Sequence, residues 1–189
     1  MDKNITVIIA IPSTTENRVP MAKTLYLMRH AQSVEKQAGQ SDLDRELTPV
    51  GEKETFRMGA YLHREKINPD VIYTSSAVRA HATAKLLSDV IKFDVERIIP
   101  DEELAQASVR TFLEFITQLD DAYTSVMCIG HNPVISYVAE YLTGAEIGTL
   151  PTAGLVAMKL RVDSWQKADK ACADVIFTIS PAAIEGEQE

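Results

Sequence analysis

The sequence predicts a three-layer α/β/α sandwich built on a mostly parallel sheet with an antiparallel edge. Two patterns predict it. From Thr24 onward, short apolar or β-branched runs alternate with stretches of helical period, as expected of strands whose crossover helices cover both faces of one sheet. The chain then ends on two strand-like runs, Leu155 to Val162 and Asp174 to Ile179, joined by a polar hairpin around Ser164 to Lys170, and a hairpin pairs its strands antiparallel. At 189 residues the chain suits one domain with a substantial core. We divide it into an N-terminal extension, residues 1–20, and a single domain, residues 21–189.

Each element has its own local reason. Thr24 to Met28 is short and apolar and ends at Arg29-His30, so it reads as a buried strand. Gln37 to Glu46 is polar and contains Gly39, a loop. Thr48-Pro49 supplies an N-cap followed by proline at the first helical position, and Phe56, Gly59, Ala60 and His63 recur at helical spacing up to the Asn68-Pro69 stop. Val71 to Thr74 is a strand. Val78 to Ile91 is a helix with Ala80, Ala84, Leu87 and Ile91 on one face. Val95 to Ile99 is a strand closed by Pro100, and Val109 to Leu119 a helix carrying Phe112, Phe115, Ile116 and Leu119. Ser125 to Ile129 is a strand and Pro133 to Leu142 a helix.

Composition narrows the function classes. Hydrophobic residues make up 46% and charged residues 24%, an ordinary globular balance. The formal net charge of -8 argues against a nucleic-acid partner, which would call for a basic surface. It leaves room for an anionic substrate, because a few arginines in a cleft set the local field. No run approaches the roughly 20 apolar residues that cross a bilayer. Ile5 to Ile11 is brief and follows Asp2, unlike the basic start of a secretory signal. Two isolated cysteines, Cys128 and Cys172, form neither a disulfide framework nor a metal pattern, so the expected compartment is the cytoplasm.

The chemistry gathers at strand ends. His30 follows Leu25 to Arg29, and His131 follows Val126 to Gly130. Each lies just past the carboxyl end of a predicted buried strand, the edge at which open α/β sheets bind ligands. A lone histidine there is more often a hydrogen-bonded core residue; two delivered from different strands can meet across one pocket. His63 and His81, in helical stretches, read as structural. Arg79 follows Tyr73 to Ser76 at the start of a helix, where a guanidinium joins unpaired backbone N–H groups to hold an anion. Arg29 directly ends an apolar run, which sets it apart from an ordinary surface charge.

These segments resemble the histidine phosphatase superfamily, the group containing the phosphoglycerate mutases. Leu27-Met28-Arg29-His30-Ala31-Gln32-Ser33 looks like its Arg-His-Gly signature. Asp42 to Gly51 resembles the Leu-Thr-x-x-Gly start of the first helix, Ser75 to Ala84 the second-arginine motif, and Gly130-His131-Asn132 the second-histidine motif. The resemblance spans about Thr24 to Arg161 and is closest to the SixA-type phosphohistidine phosphatases. Ala31 stands where many members carry glycine, a mild departure. Val34-Glu35 replaces the Trp-Asn that mutases tend to show, which weakens the mutase reading.

The resemblance implies a phosphoglycerate mutase-like fold and a phosphatase in which His30 attacks phosphorus and forms a phosphohistidine that water hydrolyses. Arg29, Arg79 and His131 would hold the phosphoryl oxygens, with Ser33 and Asn132 contributing to binding. Glu103, in Asp101-Glu102-Glu103-Leu104, fits the family's proton donor best, against the plainer reading of an acidic helix start. Neither a metal nor another cofactor is implied. The expected partner is a phosphorylated substrate, foremost a phosphohistidine-bearing protein. A small-metabolite phosphomonoesterase is the alternative, and a non-catalytic phosphate-binding module lies further off.

Overall fold

The structure, a computed structural model, describes residues 22–186, so the expected extension over residues 1–20 lies outside the described residues. Six strands, β1 (Lys23–Arg29), β2 (Val71–Ser75), β3 (Ile98–Asp101), β4 (Ser125–Gly130), β5 (Leu155–Leu160) and β6 (Ala173–Ile179), form one sheet in the order β3-β2-β4-β1-β5-β6. The first four strands pair in parallel, β5 runs antiparallel to β1, and β6 runs antiparallel to β5.

Alternation along the central strands splits the core into two layers. Leu25 and Leu27 of β1, with Val126 and Cys128 of β4, pack against helices α3 (Val109–Thr117) and α4 (Val134–Thr143) through Phe112, Ile116, Ile135 and Val138. Met28 of β1, with Met127 and Ile129 of β4, faces α1 (Pro49–Arg64), α2 (Val78–Ile91) and α5 (Pro181–Gly186) through Met58, Leu62, Ala84, Leu87 and Ile184. Both faces of the sheet are thus covered, which is why its central strands read as continuous apolar runs. The architecture is the three-layer α/β/α sandwich that the sequence predicts. No helix among the described residues is long and apolar enough to cross a membrane.

Three local expectations need correction. The buried face of α1 consists of Gly51, Thr55, Met58, Gly59 and Leu62, whereas Phe56, Ala60 and His63 point to solvent, Phe56 with 65% exposure. A phenylalanine on the outer face shifted the apparent apolar stripe by part of a turn. Val95 to Ile99 is not one strand: Asp94 caps a 3-10 turn over Val95–Arg97, and β3 begins at Ile98. The hairpin between β5 and β6 is less polar than its composition suggests, because Trp165 is fully buried and its indole N–H donates to the Tyr123 carbonyl at 2.9 Å. Helix α5 has no sequence expectation behind it.

The start of α1 ties helix packing to the loop after β1. Thr48 Oγ1 accepts from the Gly51 amide at 3.0 Å, and the Thr48 amide donates to the Gln32 carbonyl at 3.0 Å. A Cβ on Gly51 would stand 2.1 Å from that same carbonyl oxygen. Only glycine allows this approach. Gly51→Ala is therefore expected to destabilise the fold by about 1–3 kcal/mol, the usual cost of overpacking, by displacing Gln32 and its neighbour Ala31. Thermal unfolding checks this; an unchanged melting temperature would contradict it.

Candidate active site

Three adjacent parallel strands deliver the chemistry. Arg29 pairs with Gly130 across β1 and β4, and the His30 amide donates to the Gly130 carbonyl at 3.0 Å. The two chain ends therefore leave the sheet side by side, and the His30 and His131 rings come to rest 5.1 Å apart in an edge-on arrangement. Beyond β2, the short Ser76-Ala77 connection opens α2, placing Arg79 in its first turn.

His30 is fixed from both sides. The Ala31 amide donates to Thr83 Oγ1 of α2 at 3.1 Å, and the Ala31 carbonyl lies 2.8 Å from His30 Nδ1. A carbonyl only accepts, so Nδ1 carries the proton and Nε2 keeps its lone pair. Arg79 Nε donates to that lone pair at 3.2 Å. Burial, opposed by the Ala31 carbonyl and assisted by His131, Arg79 and Arg29, lowers the His30 pKa to about 3. The imidazole is therefore neutral and nucleophilic over the whole physiological range.

His131 stands opposite. Its Nδ1 faces an Arg79 terminal nitrogen at 3.4 Å, and its Nε2 lies 2.7 Å from Ser75 Oγ. Burial first, then Arg79, lowers its pKa to about 4. Arg79 itself is nearly buried and is oriented from outside by Asp42, whose Oδ2 accepts from one terminal nitrogen at 2.8 Å and whose backbone carbonyl accepts from the other. Arg29 donates to the Leu150 carbonyl at 3.0 Å, while its buried Nε has no acceptor among the described residues.

These groups line one open cleft of about 360 Å³ formed by Arg29, His30, Gln32, Ser33, Arg45, Arg79, His131, Asn132 and Thr152. The structure thus brings together Arg29, His30, Arg79, His131, Ser33 and Asn132. It does not bring Glu103 there: that residue is exposed and lines a neighbouring acidic cleft with Asp101, Glu102 and Glu114. Asn132 reaches the rim, but its amide nitrogen donates to the Leu150 carbonyl at 2.8 Å and its oxygen accepts from Ser136 at 3.1 Å. Its visible task is to hold the loop that anchors Arg29. His63 is exposed and His81 half-buried on α2, neither of them lining the cleft.

Arg45 is the group that sequence reasoning missed. It donates to the Val34 carbonyl at 2.7 Å and to Asp42 Oδ1 at 3.0 Å, which places a third guanidinium on the wall. Hydrogen bonding to Arg45, then to Arg79, holds the Asp42 carboxyl below its ordinary value. The available signal was a lone arginine inside the acidic run before Leu47-Thr48. Its position becomes apparent only once Val34 pairs back on Glu46 and Ser33 on Leu47.

Residues 25–111 match the profile of the histidine phosphatase superfamily (branch 1). A Hydrogenobacter thermophilus protein named for phosphoserine phosphatase activity is 40% identical over 90 residues, covering 46% of this chain and 41% of that relative's length. An uncharacterized Mycobacterium tuberculosis protein is 29% identical over 79% of this chain and 96% of its own. Among solved structures, a SixA-named protein of Agrobacterium tumefaciens superposes with a TM-score of 0.72 at 25% identity, covering 84% of this chain and 98% of that one. The protein histidine phosphatase SixA in complex with tungstate gives 0.73 at 22% identity, covering 84% and 97%.

The two depressed histidines have a consequence for folding. Unfolded, each takes up a proton near pH 6.5; folded, they resist to about 3 and about 4. The unfolded state thus binds more protons throughout that window, so stability falls as pH drops through it and gains nothing from these groups above it. His30→Gln and His131→Gln are each expected to flatten the loss of urea resistance between pH 7 and about 4.5. Slopes equal to that of the unsubstituted protein would contradict the assignment.

Proposed function

We propose that the chain is a member of the histidine phosphatase superfamily, whose profile matches residues 25–111, and a metal-independent phosphatase acting on phosphohistidine in a protein. The observation that carries this reading is the make-up of the cleft wall: three arginines, two histidines, small polar groups and, among the described residues, no carboxyl group. The carboxylates closest in the hydrogen-bond network are already committed. Asp42 is bound by Arg45 and Arg79, and the two oxygens of Glu54 accept from the Gln32 amide at 2.9 Å and from Thr152 at 2.7 Å. Such a site seats a phosphoryl group well and supplies no ready acid to a leaving group.

Leaving-group chemistry then selects the substrate. In the first step, His30 Nε2 forms its bond to phosphorus while the bond to the substrate nitrogen breaks. A phosphoimidazole whose other nitrogen carries a proton departs as neutral imidazole, so no acid is needed. Water next attacks the phosphoryl group on His30, which leaves with its Nδ1 proton in place, and dihydrogen phosphate departs. Charge and protons balance in both steps. An alkyl phosphate would instead leave as an alkoxide unless protonated, a contribution typically worth about 10²–10⁴ in rate.

The remaining groups act on the anion. Arg29, Arg45 and Arg79 offer planar donors to phosphoryl oxygens, and the unpartnered Arg29 Nε is a donor of the kind that a bound anion satisfies. The openness of the cleft and its lack of apolar walls suit a side chain presented by another protein better than a small metabolite needing enclosure. The superposition with SixA-named structures supports the same choice, whereas the relative named for phosphoserine phosphatase activity favours the metabolite reading.

Phosphate release from a phosphohistidine-bearing protein, measured beside release from phosphoserine with His30→Ala as the blank, separates the two. We expect kcat/KM to favour phosphohistidine by about 10² or more, the worth of a missing general acid, and Glu103→Gln to leave that turnover unchanged. Preference for phosphoserine, abolished in Glu103→Gln, would establish the metabolite enzyme instead.

A further inference from the structure

Behind the second histidine stands a group that the phosphatase reading does not use. Ser75 is the last residue of β2 and is fully buried. Its Oγ lies 2.7 Å from His131 Nε2 and accepts the Ala77 amide at 3.2 Å. On the opposite edge of the same imidazole, an Arg79 terminal nitrogen lies 3.4 Å from Nδ1.

These contacts fix the tautomer of His131 without a substrate. A guanidinium only donates, so Nδ1 is the accepting nitrogen. Nε2 therefore carries the proton and donates it to Ser75 Oγ. This arrangement is wrong for an anion. It leaves a lone pair on Nδ1, the nitrogen beside the Arg79 guanidinium of the cleft wall, whereas a phosphoryl oxygen held by that guanidinium is itself an acceptor. His131 aids phosphoryl transfer only with a proton on Nδ1. Adding one to make imidazolium is opposed by burial and by Arg79, which hold its pKa at about 4.

A hydroxyl removes the conflict, because it both donates and accepts. We propose that Ser75 is a positioning residue that lets neutral His131 exchange tautomers as the phosphoryl group docks. Before docking, Nε2–H donates to Ser75 Oγ. Afterwards the Ser75 hydroxyl turns to donate to Nε2, and Nδ1–H points at a phosphoryl oxygen. One proton leaves Nε2 to solvent and one reaches Nδ1 from it, so the net charge of the imidazole does not change. Throughout, Oγ keeps the Ala77 amide, which leaves one lone pair and one proton for His131. An alanine offers neither, and a carbonyl could only accept. Serine thus matches both states where most side chains match one.

The inference rests on the phosphatase reading for its phosphoryl ligand, so its test uses orthophosphate and needs no turnover. In protein carrying 15N-labelled histidine, nitrogen NMR distinguishes the protonated from the bare ring nitrogen. Without phosphate, His131 is expected to show Nε2–H; with saturating orthophosphate, Nδ1–H. Ser75→Ala should abolish the exchange and lower kcat on the best phosphorylated substrate by about 10²-fold, the scale of losing one anion-stabilising donor. Ser75→Thr, which keeps the hydroxyl, should restore most of both, which separates loss of the hydroxyl from loss of folding. A His131 pattern unchanged by orthophosphate, or an exchange that survives in folded Ser75→Ala, overturns the proposal. An exchange seen in a protein that releases no phosphate would instead leave this inference standing and sink the phosphatase reading.

Discussion

One backbone hydrogen bond, from the His30 amide to the Gly130 carbonyl at 3.0 Å, organises the chemistry of this molecule. It extends the β1–β4 ladder one residue past the strand end and so prevents the two chains from diverging before their histidines have emerged. Had the register slipped by one, the alternation of β1 would have turned over, exchanging Met28 for Leu27 between the core layers. Burial of both faces is thus what sets the position of His30 relative to His131. The same strand register also carries Arg29, whose amide donates to the Gly154 carbonyl on the β5 side at 2.9 Å.

Electrostatics in the cleft run against the sign of the whole chain. The protein is formally -8, yet three guanidinium groups converge on two imidazoles. Burial and this local positive field act together on His30, disfavouring a second proton and leaving Nε2 free to attack. On the proposed reading Arg29 and Arg79 serve twice, adding to the burial that keeps His30 neutral and presenting donors to the anion. Asp42 tempers the field from outside without entering the cleft wall, because its carboxylate is shared by Arg45 and Arg79.

How much of this the sequence disclosed varies by element. β1 and β4 were legible because both faces are buried, which leaves uninterrupted apolar runs ending at the chemistry. Thr48-Pro49 marked the start of α1 through a cap that the structure retains. The face of α1 was misread because periodicity records where apolar residues recur, and Phe56 is apolar yet exposed. Arg29, His30, Arg79 and His131 could be nominated from strand-end position and a family resemblance. Arg45 could not, since it reaches the cleft through a fold-back of its loop that no local pattern encodes. Ser75 escaped for a related reason: its role depends on which nitrogen of His131 it meets, a matter of side-chain geometry rather than sequence.

The central claim is that His30 attacks through Nε2, the nitrogen left bare by the hydrogen bond to Ala31. Rapid acid-free quenching during turnover, followed by 31P NMR and peptide mapping of the trapped protein, tests it most directly. The account predicts a single phosphoryl group on His30, attached at Nε2 and absent from His30→Ala. Phosphate bound at Nδ1, or carried by any other residue, would contradict it.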